Sequence, residues 1–166
     1  EIDPVDPAGA FAIVGPDIGG YAGYSATGAG DVNGDGLDDL IIGALESRGL
    51  DGDDQTGAVF VVYGRESRNG LVDLGNLDPS DGFVIEGLYD DSGLGLSVSS
   101  AGDFNGDGLD DMIFSAPLSF DPSDPDPAIG KTYIILGRTE PDGGIGPIDL
   151  ADPDPDDGFA LDDPKI

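Results

Sequence analysis

The segment GDVNGDGLDDLIIGA at positions 30–44 is the strongest indication of the fold, because it recurs almost unchanged as GDFNGDGLDDMIFSA at positions 102–116. The likeness extends outward on both sides, where FAIVG (11–15) matches FVIEG (83–87) and GAVFVVYGR (57–65) matches GKTYIILGR (130–138). A repeat of roughly 70 residues indicates one structural unit that is used twice.

Each unit carries four short apolar runs bounded by Gly, Asp or Pro, which is typical of strands joined by turns. Four short antiparallel strands in each unit are compatible with one blade of a β-propeller. The predicted strands are Tyr24–Ala29, Leu40–Ala44, Ala58–Tyr63 and Gly82–Glu86 in the first unit, and Leu96–Ala101, Asp111–Ser115, Thr132–Leu136 and Gly158–Leu161 in the second.

A ninth strand is predicted at Ala10–Val14, which resembles the strand that closes each blade. The predicted fold class is therefore all-β: two four-stranded antiparallel β-propeller blades plus one extra N-terminal strand, a partial propeller. We predict an N-terminal tail at residues 1–8, a first repeat at 9–81, a second repeat at 82–157, and at 158–166 the start of a third repeat that supplies the closing strand of blade 2.

The segment between the first two strands of each unit carries the strongest chemical signal. Side-chain oxygens occupy positions 1, 3, 5 and 9 of DVNGDGLDD (31–39) and of DFNGDGLDD (103–111). Side chains at alternate positions of a tight loop converge on one point, and the glycine at position 6 permits the sharp turn. With the carbonyl at position 7, the loop offers five or more oxygen ligands, which suits calcium better than octahedral magnesium.

We therefore predict two calcium sites. The loops resemble the first half of an EF-hand loop, although Ile42 and Phe114 stand where that loop has its last glutamate. The alternative is a polar hairpin, since Asn-Gly and Asp-Gly are ordinary turn formers, but the recurrence in the same strand context favours the metal. The predicted ligands are Asp31, Asn33, Asp35, Leu37 and Asp39 for the first site, and Asp103, Asn105, Asp107, Leu109 and Asp111 for the second.

The composition excludes several classes of function. The chain has no His and no Cys, which rules out disulfides, imidazole metal sites and Ser-His-Asp or Cys-His catalysis. Its 35 acidic and 6 basic residues give a net charge of −29, which repels nucleic acid and anionic membrane surfaces. No apolar run reaches the roughly 20 residues of a membrane-spanning helix. We expect no enzymatic activity, no nucleic-acid binding and no membrane insertion.

The sequence resembles the FG-GAP repeat of the β-propellers of integrin α-subunits. That repeat reads roughly Phe-Gly-x-Ser, then Gly-Asp-x-Asn-Gly-Asp-Gly-x-x-Asp, then Gly-Ala-Pro. Both units keep the central motif but lack the Phe of Phe-Gly, and each keeps only part of Gly-Ala-Pro: Gly43-Ala44-Leu45 and Ser115-Ala116-Pro117. The resemblance implies a propeller fold, calcium at the ten positions above, and an extracellular or cell-surface location.

Propellers of this kind have about seven blades, and two blades cannot close a ring. We also expect the strand Ala10–Val14 to lie without a native sheet, and an exposed edge strand recruits partners. Because Glu1 opens the chain with neither a methionine nor a secretory segment, we expect a processed or excised product.

These features predict a secreted, non-catalytic, calcium-stabilised module for adhesion or self-assembly. Its partners are copies of itself or the rest of a larger propeller, and its working form is multimeric or filament-forming. The alternatives are a carbohydrate-binding propeller, with a glycan rather than a protein as ligand, and an accessory fragment of a larger secreted enzyme or cell-surface protein.

Overall fold

The computed structural model describes residues 12–16, 19–47, 55–66, 70–88, 91–119, 130–139 and 158–161, together with positions 148, 150 and 156. Within these ranges the chain forms ten strands, one turn of 3₁₀ helix at Leu74–Asn76, and no α-helix. In chain order the strands are β1 (Ala12–Val14), β2 (Ala22–Gly30), β3 (Asp39–Ala44), β4 (Ala58–Val62), β5 (Leu71–Asp73), β6 (Gly82–Glu86), β7 (Val98–Gly102), β8 (Asp111–Ala116), β9 (Lys131–Ile135) and β10 (Gly158–Leu161).

Eight of these strands form two four-stranded antiparallel sheets, so the predicted all-β class with two blades is confirmed. Blade 1 has the strand order β2-β3-β4-β6, and blade 2 has the order β7-β8-β9-β10. The predicted closing strands Gly82–Glu86 and Gly158–Leu161 have the observed bounds, and the other strands of the two blades differ from prediction by no more than two residues at either end.

The central strands show why the apolar runs are continuous rather than alternating. All five residues of β4 are buried, because both faces of this strand are covered. It pairs with β3 so that Ile42 lies opposite Phe60, and Phe114 lies opposite Tyr133 at the same place in blade 2. β-branched and aromatic side chains pack well on such a pleated surface.

The prediction that the N-terminal strand lies without a native sheet is wrong for its described part. β1 pairs in parallel with β5, and Ile13 lies opposite Val72. β5 carries no strand signal in the sequence, because it has only three residues and a single buried side chain. Asp73 at its end caps the 3₁₀ turn by accepting from the Gly75 N–H. Residues 10 and 11 of the predicted strand lie outside the described residues.

Two apolar clusters hold the sheets together. The larger lies between the blades and contains Ile41 and Val61 of blade 1 with Met112 and Phe114 of blade 2. The smaller lies on the opposite face of blade 1, where Val72 and Leu74 cover the sheet and Ile13 packs against them. Each large apolar side chain buried in this way contributes roughly 1.5–3 kcal/mol, so the β1–β5 pair stabilises blade 1 on its outer face.

Candidate metal centre

Two equivalent loops connect the first two strands of each blade: loop 1 (residues 31–39) and loop 2 (residues 103–111). A register shift precedes each loop, between Gly28 and Gly30 in blade 1 and between Ser100 and Gly102 in blade 2. Bulges of this kind bend the strand and re-aim the side chains that follow. The irregular strand ends therefore direct the first acidic residue of each loop inward over the turn.

The carboxylate at position 1 organises the turn. In loop 1 the backbone N–H groups of Gly34 and Asp35 donate to Asp31 Oδ1 at 2.8 and 3.1 Å, and that of Gly36 donates to Asp31 Oδ2 at 2.9 Å. Loop 2 repeats this pattern around Asp103, with distances of 2.7, 3.0 and 3.0 Å. Gly36 has a φ of 87°, which glycine adopts without strain. The loop backbone thus wraps around one carboxylate.

The side chains at positions 3 and 5 lie against the same turn. Asn33 Nδ2 donates to Asp35 Oδ2 at 3.2 Å, while the N–H of Asp35 donates to Asn33 Oδ1 at 2.9 Å. The corresponding distances between Asn105 and Asp107 in loop 2 are 2.8 and 3.0 Å. The structure therefore brings three of the predicted side chains of each loop together, and it does so twice with nearly the same hydrogen bonds.

The carboxylate at position 9 is directed elsewhere. Asp39 is fully buried, and its Oδ2 and Oδ1 accept hydrogen bonds from the N–H groups of Val32 at 3.0 Å and Gly64 at 2.7 Å. Asp111 is buried likewise and accepts from the N–H groups of Phe104 at 2.7 Å and Gly137 at 2.8 Å. This residue begins the next strand and ties the loop to the strand beyond it.

Because the third carboxylate of each loop is held by backbone N–H groups, no cluster of three acidic side chains able to hold a metal ion forms within the described residues. One N–H on each oxygen of Asp39 still leaves lone pairs on both, since a carboxylate has about four acceptor positions. The carbonyls of Leu37 and Leu109 stay a prediction. The donors that the loops offer are all oxygens, the ligands that hard cations prefer.

The electrostatic environment of the loops is negative. Burial raises the pKa of Asp39 from 3.8 to about 6; the hydrogen bonds from Gly64 and Val32 lower it, and the nearby charges of Asp35 and Asp31 raise it. Within the part of the chain that the structure describes, no Lys or Arg side chain forms an ion pair with the loop carboxylates. A bound cation would relieve this charge, so the residues present fit a calcium ion chemically.

One residue of this region was missed by the sequence reasoning. Asp110, at position 8 of loop 2, is not among the predicted ligands, yet its Oδ2 accepts a hydrogen bond from the N–H of Asp31 in the other blade at 3.0 Å. The recurrence of aspartate at this position, as Asp38 in loop 1, was the available signal. Position 8 therefore connects the blades, whereas positions 1, 3 and 5 organise the loop.

We expect Asp39→Asn to lower the free energy of unfolding by about 1–3 kcal/mol, because the amide places an NH₂ group against one of two buried backbone donors and leaves that donor unpaired. Urea unfolding in excess chelator measures this loss without any contribution from bound metal. The control is Asp38→Asn at the exposed neighbouring position, which should change stability by about 0.5 kcal/mol or less. Equal losses in the two variants would contradict the structural role of Asp39.

The described residues include no helix with the length and apolarity needed to cross a bilayer.

Comparison with known proteins places these loops in a recognised repeat. The chain matches the FG-GAP repeat over residues 22–62 and 94–135. It is 34% identical to integrin alpha-PS2 of Drosophila melanogaster over 133 residues, covering 78% of this chain and 9% of the relative. It is 31% identical to integrin alpha pat-2 of Caenorhabditis elegans over 140 residues, covering 81% of this chain and 10% of the relative. The chain thus spans only about a tenth of the relatives that it matches.

Proposed function

The chain belongs to the FG-GAP repeat family, and on that premise we propose that it is a calcium-stabilised β-propeller module of an extracellular adhesion or assembly protein. The observation that carries the proposal is the duplicated turn: Asp31, Asn33 and Asp35 adopt the same hydrogen-bonded arrangement as Asp103, Asn105 and Asp107. In both copies this arrangement places carboxylate and amide oxygens on one turn, and these are the ligands that calcium prefers.

Calcium is the cation that the donor set favours. Carboxylate, amide and carbonyl oxygens on a short flexible turn match its preference for six to eight oxygen ligands, whereas magnesium demands near-ideal octahedral geometry. We propose that Asp31, Asn33, Asp35 and the Leu37 carbonyl hold one ion with help from Asp39, and that the equivalent residues of loop 2 hold a second. The ion would neutralise the carboxylates and fix the turn between the first two strands.

We propose that the module has no catalytic role, since it lacks His and Cys and the carboxylates of Asp31, Asp35 and Asp39 accept hydrogen bonds within the turn or at a strand end. We propose an extracellular or cell-surface location as well, which the likeness to integrin α-chains supports. The relatives are integrin α-chains by name, which favours adhesion as the setting. We keep the repeat bounds 9–81 and 82–157, with residues 158–166 opening a third repeat.

Calcium titration by isothermal calorimetry tests this function. We expect two bound ions per chain, and one ion in each of the variants Asp35→Ala and Asp107→Ala, because each removes a carboxylate from one loop only. The control is Asp78→Ala, which deletes a carboxylate that accepts from the Ser80 N–H in a turn outside both loops. Two ions bound by the loop variants, or none by the unaltered chain, would contradict the proposal.

A further inference from the structure

The two blades contact each other through loop 1 of blade 1 and the edge of blade 2. The N–H of Asp31 donates to Asp110 Oδ2 at 3.0 Å, and the N–H of Asp110 returns a bond to the Asp31 carbonyl at 3.0 Å. The N–H of Arg138 donates to the Val32 carbonyl at 2.9 Å. We call the surface of blade 1 around Asp31 and Val32 its loop face, and the edge of blade 2 around Asp110 and Gly137-Arg138 its socket.

Blade 2 presents a loop face of its own, and it is open. Phe104 is the equivalent of Val32, and its exposed fraction is 59%, against 0% for Val32 beneath the neighbouring blade. In the closing strand of blade 2, Phe159 and Leu161 are also exposed, whereas the equivalent residues of the closing strand of blade 1 are buried. The rings of Phe104 and Phe159 lie 6.0 Å apart, so the open face presents a joined aromatic surface.

Blade 1, in turn, presents a socket of its own, and the described residues that line it all belong to blade 1. It contains a cavity of about 230 Å³ lined by Asp38, Leu40, Val62, Tyr63, Gly64 and Arg65. Gly64 and its equivalent Gly137 show the same local packing. A Cβ at Gly137 would meet Leu109 Cβ at 3.0 Å and the Val32 carbonyl at 2.9 Å, whereas at Gly64 the three nearest atoms all belong to Leu37 and Asp38 of the same blade, with Leu37 Cβ at 2.6 Å.

We propose that the loop face of blade 2 binds the socket of blade 1 in a second copy of this chain, head to tail. The inference rests on the proposed function, whose partner it specifies. By analogy with the interface inside the chain, the N–H of Asp103 donates to Asp38 and the N–H of Arg65 donates to the Phe104 carbonyl. The Phe104 ring enters the cavity, where Leu40 and Val62 provide apolar contacts.

The repeat itself identifies the partner as a second copy of this chain. A single chain carries both complementary surfaces, because loop 2 repeats loop 1 and the Asp38 edge repeats the Asp110 edge. The surface pair that holds blade 1 to blade 2 within one copy is therefore present again between two copies. Such a contact joins different surfaces of the two chains, so it closes into a ring if the rotation permits and otherwise continues as a filament.

The strand β1 takes part in this contact. Ile13, Val72 and Leu74 cover blade 1, whereas their repeat equivalents Ile85, Ile148 and Leu150 lie in the core between the blades. β1 therefore occupies the place of the strand that closes an adjoining blade. When a second copy docks, β1 therefore lies at the closing-strand edge of its blade 2.

Sedimentation velocity on the full chain tests the proposal, in calcium and at high ionic strength, where repulsion between copies of charge −29 is screened. We expect the unaltered chain to form species larger than the monomer as its concentration rises. Phe104→Asp blocks the loop face, and Asp38→Leu removes the acceptor in the socket while keeping a branched side chain of four heavy atoms. Each variant should self-associate at least about tenfold more weakly. Leu118→Asp, at an apolar residue exposed outside both surfaces, should behave like the unaltered chain.

A mixture of the two blocked variants gives the sharpest result. The Phe104→Asp chain keeps its socket and the Asp38→Leu chain keeps its loop face, so together they should form a 1:1 dimer and nothing larger. A chain that stays monomeric at every concentration, association that neither variant weakens, or a mixture without dimer would each overturn the proposal. Calcium binding on the same samples separates the two ideas: a monomer that binds two ions overturns this interface alone, and assembly without calcium binding overturns only the metal.

Discussion

Chelating calcium is expected to lower the Tm of this protein by about 10 °C or more. An ion that binds the folded state alone stabilises it by about 2.7 kcal/mol when its concentration is a hundred times its Kd. Two such sites contribute about 5 kcal/mol, and for a chain of this size each kcal/mol shifts Tm by about 2–4 °C. Differential scanning calorimetry in excess calcium and in excess chelator measures the difference.

The carboxylates of the loops explain why the effect should be large. Asp31 and Asp35 lie on one turn, with Asp39 at its end, and without a cation their charge is offset within the described residues by backbone N–H groups and the Asn33 amide. Asp35→Ala in excess calcium should therefore reproduce about half of the loss, and so should Asp107→Ala. Adding magnesium in place of calcium should restore little of it. A melting curve that does not move in excess chelator would exclude a structural metal.

The sequence predicted the blades well because their information is local. Glycine, aspartate and proline bound each apolar run, and the repeat shows every strand pattern twice. The predicted bounds of Gly82–Glu86 and Gly158–Leu161 are therefore the same as the observed bounds. β5 was missed because three residues with one buried side chain make no periodic pattern. Its partner β1 was predicted, but a parallel pairing across almost sixty positions leaves no local signal.

The same difference between local and long-range information applies to the candidate site. The structure places Asp31, Asn33 and Asp35 on one turn, because alternate positions of a short loop must lie close together; their role as metal ligands stays a prediction. Spacing alone does not show that Asp39 already belongs to the next strand, where burial and the N–H groups of Val32 and Gly64 hold its carboxylate. Spacing predicts position 9 as one more oxygen ligand, whereas in the structure its carboxylate is a buried acceptor of backbone hydrogen bonds.

The contact between the blades could not be predicted from spacing at all, and it is best tested at Gly30. Gly30 and Gly102 stand at the same place before their loops and have φ angles of 81° and 64°. In the left-handed region a Cβ costs about 1–2 kcal/mol, so Gly102→Ala should lose about that much. At Gly102 the new Cβ meets no described atom within 4 Å, whereas at Gly30 it would overlap the Asp110 carboxylate and lie 2.7 Å from Asp110 Cβ.

Gly30→Ala should therefore lower the free energy of unfolding by about 2–5 kcal/mol. The strain common to both glycines supplies about 1–2 kcal/mol, and the displaced Asp110 carboxylate leaves the N–H of Asp31 without its acceptor, at a further cost of about 1–3 kcal/mol. Urea unfolding at low protein concentration and saturating calcium compares the two variants without self-association. If Gly30→Ala and Gly102→Ala lose the same stability, Asp110 does not join the blades. The two variants are matched in repeat position, in backbone angle and in the atoms added. A larger loss in Gly30→Ala is therefore due to the contact between the blades.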